Sequence, residues 1–227
     1  MRKRQYDETH ERYGQPPLPE QSYHDIKDID RILTLPDQAA HRDVDKIVIA
    51  ANESPAVKTV IVGPSTINGV GRGPGNKDSI QVHILAKDAL KNGHSAVVGT
   101  GKVEWDHVHI YDVSSLFILL VDAALDAEKQ NNPEIFGPHG YFFLPGGTHT
   151  WGDVSKQISE AVVKQGYHKE VPLKVVEFKD APLKSAATNS KGVGERANKY
   201  LGWKPVGQPI NELIPGIVTI EAKKLGL

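Results

Sequence analysis

The 227-residue sequence predicts an α/β fold with a mainly parallel sheet, and three observations support that prediction. Short apolar runs such as 57–62 and 141–144 are rich in β-branched and aromatic residues, as buried strands are. Segments of helical periodicity stand between them. The two kinds of segment alternate along the chain, and crossover helices between strands are what parallel pairing requires.

Residues 1–35 are polar, with Gln15-Pro16-Pro17-Leu18-Pro19 in the middle, and are expected to form a partly mobile N-terminal segment. The folded domain is expected over 36–227. From Ala40 a helix pattern begins, with Val44, Ile47, Val48 and Ala51 on one face. The run 57–62 is closed by Gly63-Pro64 and reads as a buried parallel strand. A glycine-rich loop spans 69–75. Ile80, Val82, Ile84, Leu85 and Ala89 then mark a helix ending near Asn92-Gly93.

Strands follow at 95–99 and 103–110, the second alternating around Trp105, His107 and His109. Asp112 reads as the N-cap of a helix whose core face is Val113, Leu116, Phe117, Leu120, Val121 and Ala124. After a strand at 141–144, Thr150 and Asp153 form a capping box for a helix stopped by Gly166. A last strand at 171–178 and helices near 191–201 and 211–225 complete the chain.

Composition narrows the function. The 27 basic and 28 acidic residues leave no basic excess for nucleic acid. There is no cysteine, hence no disulfide and no thiolate–metal site. No apolar run is long enough for a bilayer, and no apolar core follows the basic start Met1-Arg2-Lys3-Arg4. A cytoplasmic protein with no membrane or nucleic-acid partner is expected. His107 and His109 face one side of a strand, but Asp112 is better used as a cap than as a ligand, so no metal site is assigned.

Four motifs occur in order: Thr59 to Gly69 (TVIVGPSTING), His107-Val108-His109-Ile110-Tyr111-Asp112-Val113, Trp151-Gly152-Asp153-Val154, and Leu201-Gly202-Trp203-Lys204-Pro205. Together they resemble the extended short-chain dehydrogenase/reductase superfamily, and within it the NAD(P)-dependent epimerase/dehydratase-like branch common in fungi. The segments 41–46 and 71–76 look typical of that branch. The resemblance implies an incomplete Rossmann-like sheet with a small C-terminal substrate lobe, NAD or NADP as cofactor, and a small-molecule substrate in secondary metabolism. It implies cofactor contacts at Pro64, Ser65 and Thr66, where the family's strand crosses under the nicotinamide.

Three departures qualify it. The family's opening βαβ unit with its glycine-rich pyrophosphate loop is not found in this sequence, and the glycines at 69, 71, 73 and 75 follow the wrong strand. That absence counts against dinucleotide binding by this chain. The family's tyrosine and lysine, four residues apart on one helical face, fall in register on Asp37 and His41. His41 could still hold a ribose hydroxyl. Tyr23 and Lys27 have the right spacing farther upstream and are the candidate catalytic pair, while Tyr200 and Lys204 straddle a turn. Finally, Trp105 stands where sugar-nucleotide epimerases carry a diphosphate-binding arginine. This argues for a flatter, less charged substrate, with Trp105 and Arg196 as candidate substrate contacts.

Three readings follow: an enzyme with altered catalytic groups, a non-catalytic nucleotide-sensing or interaction protein on the same fold, or a fragment that is inactive alone. In a sheet lacking its first strands, the 57–62 strand would expose an apolar edge, and self-association through it is expected.

Overall fold

The computed structural model describes residues 5–39, 41–54 and 56–227. Eight α-helices and nine strands alternate among them, and four of the five strand pairings are parallel. The predicted α/β class is therefore the observed one.

Strands β2 (Ile61–Pro64) and β6 (Tyr141–Leu144) pair in parallel. Helix α5 (Ile110–Leu125) and helix α7 (Arg196–Leu201) pack with them over a core of Leu116, Leu120, Phe142, Leu144, Ala197 and Trp203. A second core lies among α4 (Gln81–Asn92), α6 (Trp151–Lys164) and α8 (Ile210–Leu225), centred on Leu85, Val154, Ile158, Ile214 and Val218. Strand β4 (Ser95–Val98) pairs in parallel with β8 (Leu173–Val176) beside that bundle. Between the cores runs a three-stranded sheet in which β5 (Glu104–His109) is central. Strand β3 (Thr66–Asn68) lies parallel on one side of it and β7 (Gly147–Thr150) antiparallel on the other. Neither β3 nor β7 is marked in the sequence, because each is short and polar.

Local signals explain the helix ends. Gly93 takes the left-handed conformation at the end of α4, as expected for a C-cap glycine. Thr150 Oγ1 accepts from the Asp153 amide at 3.1 Å and opens α6, as the capping box predicts.

Asp112 departs from its predicted role. Helix α5 starts three residues earlier and His109 is its N-cap, its ring nitrogen accepting from the Tyr111 amide. The buried Asp112 carboxylate instead accepts from the amides of Val206 and Gly207, and its carbonyl accepts from the Trp203 indole at 2.8 Å. The aspartate motif and the Leu-Gly-Trp-Lys-Pro turn are thus two halves of one latch.

The N-terminal segment also differs from expectation. Residues 5–35 carry α1 (Gln5–Thr9), β1 (Tyr23–His24) and α2 (Ile29–Leu33), and β1 pairs in parallel with β9 (Gly192–Val193). Asp7 is fully buried and accepts from the Gln21 side chain and from Asn189 through both its backbone and side-chain N–H groups. The segment docks through these hydrogen bonds and through a small apolar cluster in which Ile29 and Ile32 pack with Tyr23 and Leu33 against Ile61, Tyr141 and Phe143.

Two helices hide less apolar surface than their pattern suggests. Helix α3 (Arg42–Ala50) exposes Val44 and Ile47 and buries Arg42 and Asp45. Helix α5 exposes Phe117, Ile118, Val121, Ala124 and Leu125, so Phe117, Val121 and Ala124 are not core residues as predicted. It is apolar around most of its circumference, which a single buried face does not need. Strand β2 pairs only with β6 among the described residues, and its other edge has no partner strand. No helix among the described residues is long and apolar enough to cross a membrane.

Candidate active site

Two cavities share a wall. The smaller, about 240 Å³, lies between β2 and the N-terminal segment and is lined by Tyr23, His41, Asp45, Gly63, Tyr141 and Phe143, among others. The larger, about 650 Å³, lies under the 69–80 loop against Thr66, Ile67, Ile80, Trp105 and Leu183. Pro64, Ser65 and Ser190 line both. The Ser65 hydroxyl donates to the Leu144 carbonyl at 3.0 Å, which pins the end of β2 to the end of β6. Ser190 is held against β5 by backbone hydrogen bonds to Glu104 and Asp106. The wall between the cavities is therefore fixed by backbone pairing on both sides.

The structure brings four of the predicted residues together in the smaller cavity: Tyr23, His41, Pro64 and Ser65. Tyr23 sits on β1 with the Arg31 guanidinium 4.0 Å over its ring. His41 precedes α3 with a positive φ of 64°, a conformation uncommon for residues other than glycine. Lys27 does not join them. It is exposed in the turn after β1, where its amide donates to His24 Nδ1. Tyr23 and Lys27 lie on a strand and a turn, so their spacing is not that of one helical face.

Thr66 lines only the larger cavity. It is buried, and its hydroxyl has no hydrogen-bond partner among the described residues. Trp105 also lines that cavity, with its indole N–H donated to the Thr188 carbonyl and its ring edge-on to Trp151 at 5.9 Å.

Arg196, expected as a substrate contact, is engaged by the protein itself. It is fully buried, and its guanidinium donates to the Asp25 carbonyl (3.0 and 3.2 Å) and to the Glu134 carbonyl and carboxylate (2.8 Å each). It lines neither cavity. Asp25 completes the cluster by accepting from the amides of Glu195 and Arg196 at the start of α7 and of Phe143 on β6. Burial raises the Asp25 pKa above the usual carboxylate range, against the lowering effect of those amides and of Arg196.

Asp45 is a site residue that sequence reasoning missed. It follows His41 by four residues, and its amide donates to the His41 carbonyl at 3.0 Å. Ser190 belongs to a stretch, Asn189-Ser190-Lys191, that resembles the family's substrate side, but only the pairing with β5 brings it to the wall of both cavities.

Beside the larger cavity, His107 and His149 meet across β5 and β7 with their Nδ1 atoms 3.2 Å apart. One must donate and the other accept, so at least one ring is neutral. Burial lowers the His107 pKa. Burial, together with the charge that His107 would carry, drives His149 down to about 3. Gly147 is required beside this pair, since a Cβ there would lie 2.6 Å from His107 Nε2.

Residues 13–135, more than half of the chain, match the NAD dependent epimerase/dehydratase family. The chain belongs to that family. The oxidase ucsJ of an Acremonium species is 31% identical over 217 residues, which cover 90% of this chain and 62% of that protein. The fold is similar to DesIV, a dTDP-glucose 4,6-dehydratase from Streptomyces venezuelae solved with NAD bound (TM-score 0.58, 13% identity, 94% of this chain and 57% of that one). It is also similar to the UDP-glucose 4-epimerase of Thermotoga maritima (TM-score 0.52, 19% identity, 81% and 52%). The chain thus spans 62% of the oxidase and between half and three-fifths of these two structures.

The family implies a nicotinamide dinucleotide, and the residues present fit one end of it. The smaller cavity has a ring-sized volume, apolar walls from Ile61, Tyr141 and Phe143, and hydroxyl and imidazole groups at Tyr23, Ser65 and His41. That combination suits a nicotinamide and its ribose. The pyrophosphate end has no matching cradle among the described residues, since β1 leads into a turn rather than a glycine-rich loop and helix N-terminus.

Proposed function

We propose that this protein acts in NAD(P)-dependent redox or epimerase/dehydratase chemistry on a small metabolite of secondary metabolism that is not a nucleotide sugar. The dinucleotide's nicotinamide end would occupy the smaller cavity and the metabolite the larger. The observation that carries this reading is the shared wall at Pro64, Ser65 and Ser190, because it sets a cofactor-sized and a substrate-sized space against each other. The identity with an oxidase supports redox chemistry.

The cofactor, when bound, supplies hydride donation or acceptance. The chain's own residues do the rest. Ser65 fixes the wall, His41 and Tyr23 offer groups able to hold a ribose hydroxyl or move a proton, and Ile61, Tyr141 and Phe143 exclude water.

A second reading, a nucleotide-sensing or interaction protein without catalysis, is supported by Lys27 lying outside the cavity. One experiment separates the two. NADH and NADPH binding to the folded chain is measured by calorimetry, followed by turnover assays on keto and hydroxy compounds. Binding that weakens about tenfold in His41→Ala, a loss of about 1.4 kcal/mol, is expected. Binding without turnover would favour the sensing role, and a folded chain that binds neither nucleotide would overturn the proposal.

A further inference from the structure

We infer that the larger cavity takes an uncharged, largely apolar ring compound bearing hydroxyl or keto groups, and that it discriminates against phosphorylated ones. This rests on the assignment of the larger cavity as the substrate side.

The inference comes from a count of charge and surface on the cavity walls. Among the described residues that line it, only Lys77 and Asp78 are charged. Asp78 is already committed, since Lys224 donates to its carboxylate at 2.8 Å and also to buried Glu221 at 2.7 Å, and Glu221 in turn is bonded to His83. Lys77 is exposed, so solvent and salt screen it. Arg72, on the same loop, stacks its guanidinium 4.3 Å over the Tyr111 ring and does not line the cavity. A diphosphate is typically clamped by arginine forks, and the one cationic side chain on these walls among the described residues is the exposed Lys77.

What they do offer is apolar surface. Ile67, Ile80, Ile110, Leu183 and the Trp105 ring supply the walls. The remaining polar groups are neutral, including the side chains of Ser65, Ser190 and Gln81. A volume of about 650 Å³ accommodates a fused-ring compound.

The test uses three probes on the full chain: 2-naphthol, 2-naphthyl phosphate and UDP-glucose, each titrated by calorimetry with and without NADH. We expect 2-naphthol to bind at least about tenfold more tightly than either phosphorylated probe. One variant localises the effect. Ile80→Lys, at a position 66% exposed and therefore safe for folding, should narrow or reverse the preference. Equal or tighter binding of a phosphorylated probe would overturn the inference. So would 2-naphthol binding that Ile80→Lys leaves unchanged, or no binding of any probe by folded protein. NADH is scored separately: loss of NADH binding alone refutes the cofactor reading and leaves this cavity assignment standing, while NADH binding with a phosphate preference does the reverse.

Discussion

Replacing Arg196 separates a structural from a substrate-binding role more sharply than any other substitution. The guanidinium is fully buried and makes four hydrogen-bond contacts of 2.8–3.2 Å that tie α7 to the 24–26 turn and to the loop before β6. Removing one partner of a buried ion pair typically costs about 3–5 kcal/mol. Glu134 is one-third exposed and can rehydrate once abandoned, which moves the expectation toward the lower end. Two carbonyls lose their donors as well, so Arg196→Ala should cost about 3–4 kcal/mol. That is a large part of the roughly 5–15 kcal/mol that holds a domain together. Arg196→Lys keeps the charge but not the planar fork, and should cost about 1–3 kcal/mol. Urea unfolding at constant m-value reads both. A variant as stable as the parent, with weaker substrate binding instead, would refute the structural reading and restore Arg196 as a substrate contact.

Two more predictions follow from the same geometry. The folded-state pKa of His149 lies at about 3, below the ordinary value of about 6.5, so the unfolded chain binds more protons between those two values. Stability is therefore full above about pH 6.5 and falls with pH, by about 2 kcal/mol at pH 5 at 1.36 kcal/mol per unit. Melts of His149→Leu across that range should show a flatter profile, and an unchanged slope would contradict the burial argument. Separately, the open edge of β2 and the exposed Ile118 and Val121 on α5 should drive self-association. Sedimentation should show oligomers that Ile118→Lys with Val121→Glu reduces, whereas a monodisperse parent chain would dismiss the idea.

The sequence by itself determined the α/β class, because alternation of β-branched runs with helical periodicity is a local property. It determined the ends of α4 and α6 for the same reason, since Gly93 and the Thr150–Asp153 box act within one turn. The family motifs were also readable in order, and His41, Pro64 and Ser65, three of the residues singled out beside them, line one cavity. Tertiary structure alone decided the rest. Arg196 looks like a surface residue until Asp25 and Glu134, 171 and 62 positions away, close around it. Asp112 looks like a cap until residues 206–207 reach its carboxylate. Phe117 and Val121 follow a core pattern that helical spacing cannot tell from a second, exposed stripe. Ser190 reaches the site only through a bridge to Trp105, 85 positions earlier. In each case the deciding contact is long-range: periodicity and capping are settled over a few neighbouring residues, while burial and hydrogen-bond partnership depend on how distant segments meet.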